Sequence, residues 1–276
     1  MISWKKSQNI FMSVTRLLNS SLTFALIQTD LVWENPQANL LHFEQLLNSL
    51  TKKVDVIVLP EMFTTGFSMR SKSLAEKVNG STVGWMKLFA KKKEAVIVGS
   101  IVICDNNQYY NRLHWVCPDG TVFFYDKKHL FSMADENKHY ESGTKRLIIE
   151  YKGWKFCPLI CYDLRFPVWS RNDCDYDCLI YIANWPAARI GAWSTLLEAR
   201  AIENQCYVLG VNRIGIDGSG IKYNGGTVAV DAKGQTLSSV GNDSSEIAIV
   251  ELDKESQREF RKKFPVLLDR DDFDLT

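Results

Sequence analysis

Residues 22–61 read LTFALIQTDLVWENPQANLLHFEQLLNSLTKKVDVIVLPE. The apolar run at 22–28 is short and continuous, as in a buried strand. Residues 35–50 then space Leu40, Phe43, Leu47 and Leu50 at helical intervals, and Pro36 suits a first helical turn. A second apolar run, 54–59, is stopped by Pro60 and followed at once by Glu61. Strand, helix, strand is the opening of an α/β fold.

Outward from this stretch the pattern continues. Residues 83–93 read as a helix and 95–104 as a strand. Residues 111–125 read as a hairpin turned at Pro118-Asp119-Gly120, and 146–150 with 154–161 as a strand pair around Lys152-Gly153. A strand at 178–183, a helix at 192–205 and strands at 207–213, 227–230 and 247–252 follow, and then a polar tail from Asp253. Strands alternate with helices at both ends and hairpins fill the middle, which predicts one α/β domain over 21–276 with a mixed sheet system. Residues 1–20 are set aside as an N-terminal extension. No acid precedes Asp30, and Lys5, Lys6 and Arg16 are few cations for an organellar leader, so an untidy extension or an early start, with Met12 as another start, is the preferred reading.

Composition narrows the function classes. The chain has 276 residues with 33 Lys+Arg against 32 Asp+Glu, a balance that gives no reason to expect a nucleic-acid partner. No apolar run approaches the roughly 18 residues of a membrane span. Seven cysteines, most of them inside apolar runs, fit a reducing, cytoplasmic compartment better than a disulfide framework. No glycine-rich nucleotide fingerprint occurs, so nucleotide binding has no support.

Three polar groups stand where strands run out: Glu61 after VIVLP, Lys127 and Lys128 after VFFYD, and Cys161 closing WKFCPLIC. Strand ends are where side chains emerge from a rigid scaffold. A thiol, a carboxylate and a cation are the parts of nucleophilic catalysis on a carbonyl. Taken singly, each has an ordinary reading: a core cysteine, a solvated glutamate, a surface lysine pair. Cys174 and Cys178 have loose spacing and no second pair to complete a metal site, so no metal is expected. His129 could serve a Cys–His dyad or sit as a structural histidine at a strand end, and the second is preferred.

Together the segments resemble the nitrilase superfamily of carbon–nitrogen hydrolases. Leu59-Pro60-Glu61-Met62-Phe63 is similar to the segment with that family's general-base glutamate, Tyr125-Asp126-Lys127-Lys128-His129-Leu130-Phe131 to its lysine segment, and Ile160-Cys161-Tyr162-Asp163-Leu164-Arg165-Phe166-Pro167 to its nucleophile elbow. In that family the catalytic lysine stands two before the histidine, so the resemblance implies Lys127, and a second glutamate stands seven before a glycine, so it implies Glu136, with Gly143 as the glycine. Residues 183–186 and 200–204 are also family-like, and the likeness spans about 22–265. The run Cys161–Asn172 followed by Asn184-Trp185-Pro186 is similar to the branch of YafV-like omega-amidases.

The resemblance implies a four-layer α-β-β-α sandwich with mixed sheets, no cofactor and no metal, and a homodimer. It implies Cys161 as nucleophile, Glu61 as base, and Lys127 with the Tyr162 backbone N–H as the oxyanion site, with Glu136 orienting Lys127. The substrate would be the monoamide of a small dicarboxylic acid, such as 2-oxoglutaramate, cleaved through a thioester. Arg165 is a candidate for holding the far carboxylate, equally a structural ion pair. Phe63, Phe166 and Trp185, with Phe67, are candidate pocket walls. The alternatives are another carbon–nitrogen hydrolase, such as a nitrilase or carbamoylase, or a non-catalytic interaction protein that keeps the fold.

Overall fold

The structure, a computed structural model, describes residues 10–14 and 20–274. Its strands are β1 (Ile10–Val14), β2 (Ser21–Gln28), β3 (Val56–Val58), β4 (Glu76–Lys77), β5 (Val96–Asp105), β6 (Gln108–Val116), β7 (Val122–Asp126), β8 (Leu147–Tyr151), β9 (Trp154–Ile160), β10 (Cys178–Ala183), β11 (Tyr207–Asn212), β12 (Ile214–Ile216), β13 (Lys222–Asn224), β14 (Val228–Val230), β15 (Thr236–Ser239) and β16 (Glu246–Asp253). The helices are α1 (Pro36–Ser49), α2 (Ser71–Leu74), α3 (Ser81–Lys93), α4 (Ile190–Asn204) and α5 (Lys254–Lys263).

Two seven-stranded mixed sheets form. One runs β16-β2-β3-β5-β6-β7 with β4 also paired to β5, and the other runs β1-β8-β9-β10-β11-β14-β15. In the first sheet the strands are continuous apolar runs because both faces are covered. Phe24, Leu26, Val56, Val58, Val96 and Val98 join the core between the sheets. Their neighbours Ala25, Ile27, Ile57, Leu59 and Ile97 join a second core with Phe43 and Leu47 of α1 and Met86 and Phe89 of α3. The period of two along each strand thus separates two cores. Phe156 of β9 crosses the gap, its ring centroid 6.0 Å from Phe24 and 5.0 Å from Trp115.

α1 starts as its sequence requires: the Asn35 side chain accepts from the Ala38 N–H at 3.1 Å and Pro36 occupies the first turn. On the second sheet α4 lays Trp193, Leu197 and Ala201 into the core. It can approach because position 210 in β11 is glycine; a Cβ there would stand 2.5 Å from Leu197 Cδ1. The layers are therefore helices, sheet, sheet, helices.

Several elements differ from the sequence reading, which also had no counterpart for the short α2, β4 and β15. Ile10–Val14, within the stretch set aside, pairs in parallel with β8, whereas residues 1–9 and 15–19 of that extension lie outside the described residues. The polar tail begins with α5, which Asp253 caps by accepting from the Glu255 N–H at 2.9 Å. Its polarity hid it: Gln257 is buried, but as an amide donating to the Asp177 carbonyl, not as an apolar contact. The hairpin β12–β13 was not foreseen and carries the 217–221 turn to the site.

Candidate active site

Glu61, Lys127 and Cys161 each follow the end of a strand, β3, β7 and β9 respectively. Pro60 stops β3, and Met62, at φ +44°, turns the chain so that Glu61 points inward, where it is fully buried. The turn is pinned by Ser100 of β5, whose hydroxyl accepts the Met62 N–H at 2.8 Å. Lys127 hangs from β6 through its own N–H to the Asn111 carbonyl, 3.0 Å. Cys161 sits at φ +45°, a left-handed conformation rare for a residue with a Cβ, which is why the chain breaks from β9 into a short 3-10 turn there.

These ends converge. Lys127 Nζ donates to Glu61 Oε1 at 2.9 Å and to both oxygens of Glu136 at 3.0 Å. Glu61 accepts in addition from Asn111 Nδ2 at 2.7 Å and from the Asn184 N–H at 2.8 Å. The Cys161 thiol donates to the Asn184 carbonyl oxygen at 3.9 Å and feels the Glu61 carboxylate beside it. Glu136 also accepts the Phe131 N–H at 2.6 Å, which ties the loop after β7 to the cluster.

Gly143 explains the spacing from Glu136. Its N–H reaches the Lys127 carbonyl at 2.8 Å, and a Cβ in its place would stand 2.0 Å from the Asp126 carbonyl oxygen. Only a glycine lets the returning chain close on the lysine.

Burial is the largest influence on Lys127 and would strip its proton, but Glu136, Glu61 and Cys161 outweigh it and hold the ammonium more firmly charged than usual. Burial also pushes Glu136 up against the opposing pull of Lys127. The Cys161 thiol is pushed well above its ordinary value, by burial first and then by the Glu61 carboxylate, with Lys127 pulling the other way. Two carboxylates and one ammonium leave the cluster short of positive charge, so the resting sulfur is a thiol held against a base.

The cluster opens onto a cavity of about 380 Å³. Lys127, Cys161, Tyr162, Arg165 and Trp185 line it, with Phe67, Arg70, Phe131 and Arg189. The Arg165 guanidinium lies 5.0 Å over the Trp185 ring and, among the described residues, has no carboxylate partner. Two expected walls stand elsewhere. Phe63 is buried in the core under α1 and α3, edge-on to Phe43 at 5.3 Å. Phe166 stacks flat on His129 at 3.7 Å, behind Tyr162. An aromatic near a strand end can turn to either face, and its type does not say which.

His129 is the structural histidine, its Nδ1 2.8 Å from Asp163 Oδ1. Asp163 also takes the His129 N–H at 2.9 Å, the Tyr125 hydroxyl at 2.7 Å and the Ile160 N–H at 3.0 Å. It thereby latches the lysine segment to the cysteine turn. Asn111 was not singled out from the sequence, its only signal being a polar residue inside a strand; Asp163 and Asn184 stand in the family-like segments 160–167 and 183–186, with no role assigned to them there. Among the described residues no group of three or more His, Cys, Asp or Glu could hold a metal ion.

The family model described as carbon-nitrogen hydrolase matches residues 23–262. The chain is 47% identical over 256 residues to the omega-amidase YafV of Escherichia coli strain K12, covering 92% of this chain and 98% of that protein. It is 33% identical to the 2-oxoglutaramate amidase of Bacillus subtilis strain 168, covering 90% and 96%. Among solved structures, a CN-hydrolase superfamily protein from Xanthomonas campestris with an arsenic adduct in its active site superposes with a TM-score of 0.90 at 39% identity, covering 93% of this chain and 99% of that one.

Proposed function

The chain belongs to the carbon-nitrogen hydrolase family, and from that premise we propose that it is an omega-amidase, hydrolysing the terminal amide of a small dicarboxylic acid monoamide such as 2-oxoglutaramate to acid and ammonia. The observation that carries this reading is the meeting of Glu61, Lys127, Glu136 and Cys161 at the wall of a cavity that also holds Arg165, a guanidinium with no carboxylate partner among the described residues. A cluster of this kind suits attack on a carbonyl, and a free fork suits a carboxylate at the substrate's other end.

In this reading the Cys161 thiol gives its proton to Glu61 as sulfur attacks the amide carbon. Because the thiol is held protonated, transfer and attack go together. The oxyanion meets the Tyr162 N–H and the Lys127 ammonium, which frees an N–H by letting go one of its two bonds to Glu136. Such donors are worth about 3–4 kcal/mol each. The C–N bond breaks, Glu61 returns the proton to nitrogen, and ammonia leaves a thioester on Cys161. Water then loses a proton to Glu61 and attacks; the C–S bond breaks, the sulfur takes that proton back, and the acid departs. No oxidation state changes, and no cofactor is needed for these steps.

The test is ammonia release from 2-oxoglutaramate by wild type and Cys161→Ala, with succinamate, an N-carbamoyl amino acid and a simple nitrile alongside. Turnover of the oxo-amide, lost in the variant by about 10⁴-fold or more, supports the reading. Turnover only of the nitrile or the carbamoyl compound replaces it with a sister activity.

The homodimer belongs to the same reading. Val168, Ile202, Phe264 and Leu268 are exposed, and a cleft lined by Pro167, Val168, Val266 and Phe273 together with Arg171, Glu203, Asp269, Arg270 and Asp271 offers a mixed apolar and charged surface for a second copy. Sedimentation at micromolar concentration checks it; a monomer refutes it. A cytoplasmic location accords with seven free cysteines. Among the described residues no helix is long and apolar enough to cross a membrane.

A further inference from the structure

Arg165 is not alone at the cavity. Arg189, in the turn Ala187–Arg189 that leads into α4, lines the same space, and among the described residues neither guanidinium has a carboxylate partner. The third arginine there, Arg70, differs: Glu34 holds it at 2.6 Å. Both unpaired cations are held in place by aromatic groups. Arg165 lies over the face of Trp185, and the same indole donates its Nε1–H to the Arg189 carbonyl at 2.8 Å. The Arg189 guanidinium lies 5.3 Å over Phe131, whose ring packs edge-on against Tyr162 at 5.0 Å, beside the nucleophile.

The carboxylates facing the cavity are already engaged. Glu34 is taken by Arg70 and by the Ser68 hydroxyl. Asp217 accepts from the Ser219 and Ile221 N–H groups and from the Tyr223 hydroxyl at 2.8 Å. Among the described residues the cavity therefore offers two cations without a carboxylate partner, while Asp217 has its oxygens taken by neutral donors.

A dicarboxylic monoamide brings one carboxylate, which one guanidinium fork can grip in full. The second cation lines the same cavity, tied to the first through Trp185, and is available to a group beside that carboxylate. An acceptor there, such as a 2-oxo oxygen, gains a charge-assisted hydrogen bond; a 2-ammonium meets the like charge of that cation. We propose that Arg189 is a specificity-determining residue that reads the substituent beside the far carboxylate, selecting 2-oxo acid amides and rejecting 2-amino acid amides of the same length. This rests on the amidase reading and deepens it.

The experiment compares kcat/KM for 2-oxoglutaramate, glutaramate (the same chain without the oxo group) and L-glutamine, in wild type, Arg189→Gln and Arg189→Lys. Wild type should prefer the oxo-amide over glutaramate. In Arg189→Gln the oxo-amide should fall roughly 10- to 100-fold, the loss of one hydrogen bond to a charged group, while glutaramate changes only a few-fold and L-glutamine rises. Arg189→Lys, which keeps the charge, should still reject L-glutamine. Equal losses on all three substrates, or no wild-type preference for the oxo group, would overturn the proposal. Inhibition by 2-oxoglutarate, glutarate and L-glutamate supplies the same ranking without turnover, and Arg189→Gln should compress it; an unchanged ranking sinks the proposal. Absence of turnover on glutaramate and the oxo-amide alike counts instead against the amidase reading, so the two failures are told apart.

Discussion

At Cys161 burial and the Glu61 carboxylate act in one direction, against the pull of Lys127. A sulfur in that position is a poor target for alkylation at neutral pH even though it is the proposed nucleophile. Replacing Glu61 by Gln removes one negative charge and leaves Lys127, so the thiol should ionise at lower pH. The expected outcome is a divergence: Glu61→Gln loses about 10²- to 10⁴-fold in kcat, yet the midpoint of its pH profile for iodoacetamide labelling at Cys161 moves down. A midpoint that stays or rises would show that Glu61 is not the charge that holds the thiol. Glu61, Lys127 and Cys161 were legible because motif and strand end coincide at each; Glu136, in a short 3-10 turn, was reached only through its family-like spacing to Gly143. Asn111 was not legible, nor was the role of Asn184 although its segment was quoted, since their partner Glu61 lies far away in the chain and an asparagine carries no mark of what it will meet.

Between β7 and β8 the chain makes no regular element apart from two short 3-10 turns, yet it is fixed at both ends. Gly143 closes on the Lys127 carbonyl, and Glu136 reaches back to Nζ. Gly143→Ala should force the backbone of Asp126 and Lys127 apart, because the added atom meets a carbonyl oxygen and not a flexible side chain. We expect kcat to fall about 10- to 100-fold through misplacement of Nζ, with roughly 1–3 kcal/mol lost in thermal stability; unchanged kinetics would dissociate this loop from the site. Elements with a clear period were readable in advance: α1, α3, β5 and the β6–β7 hairpin lie within a few residues of their expected bounds. α5 was not. Its buried contacts are an amide and a guanidinium, Gln257 to the Asp177 carbonyl and Arg261 Nε to the Gln205 carbonyl at 2.7 Å, so hydrophobic spacing had nothing to register.

Across the whole molecule, acid stability depends in part on a histidine remote from any proposed role. His114 of β6 is buried, and burial, with Arg112 adding to it, pushes its imidazole down to about 3. In the unfolded chain the ring takes a proton below about pH 6.5. Between these values the unfolded state binds more protons, so stability drains away as pH falls, by up to about 1.4 kcal/mol per pH unit. The stability difference between wild type and His114→Gln should be flat above pH 7 and shift in the variant's favour by roughly 4–5 kcal/mol towards pH 3. A flat difference throughout would place the proton elsewhere.

The layered architecture followed from continuous apolar strands and helical faces, but no local pattern announced that β2 lies between β3 and β16. That pairing, Ser21 with Asp253 through Gln28 with Glu246, has a consequence for how the molecule is born on the ribosome. One long edge of β2 stays open while the chain from α1 to β15 is being translated, and it is capped only when β16 emerges. The sheet that carries Glu61 and Lys127 is thus exposed to stray strand pairing throughout most of translation. A nascent chain stalled before β16 would hold all four residues of the cluster and still lack the strand that seals their scaffold.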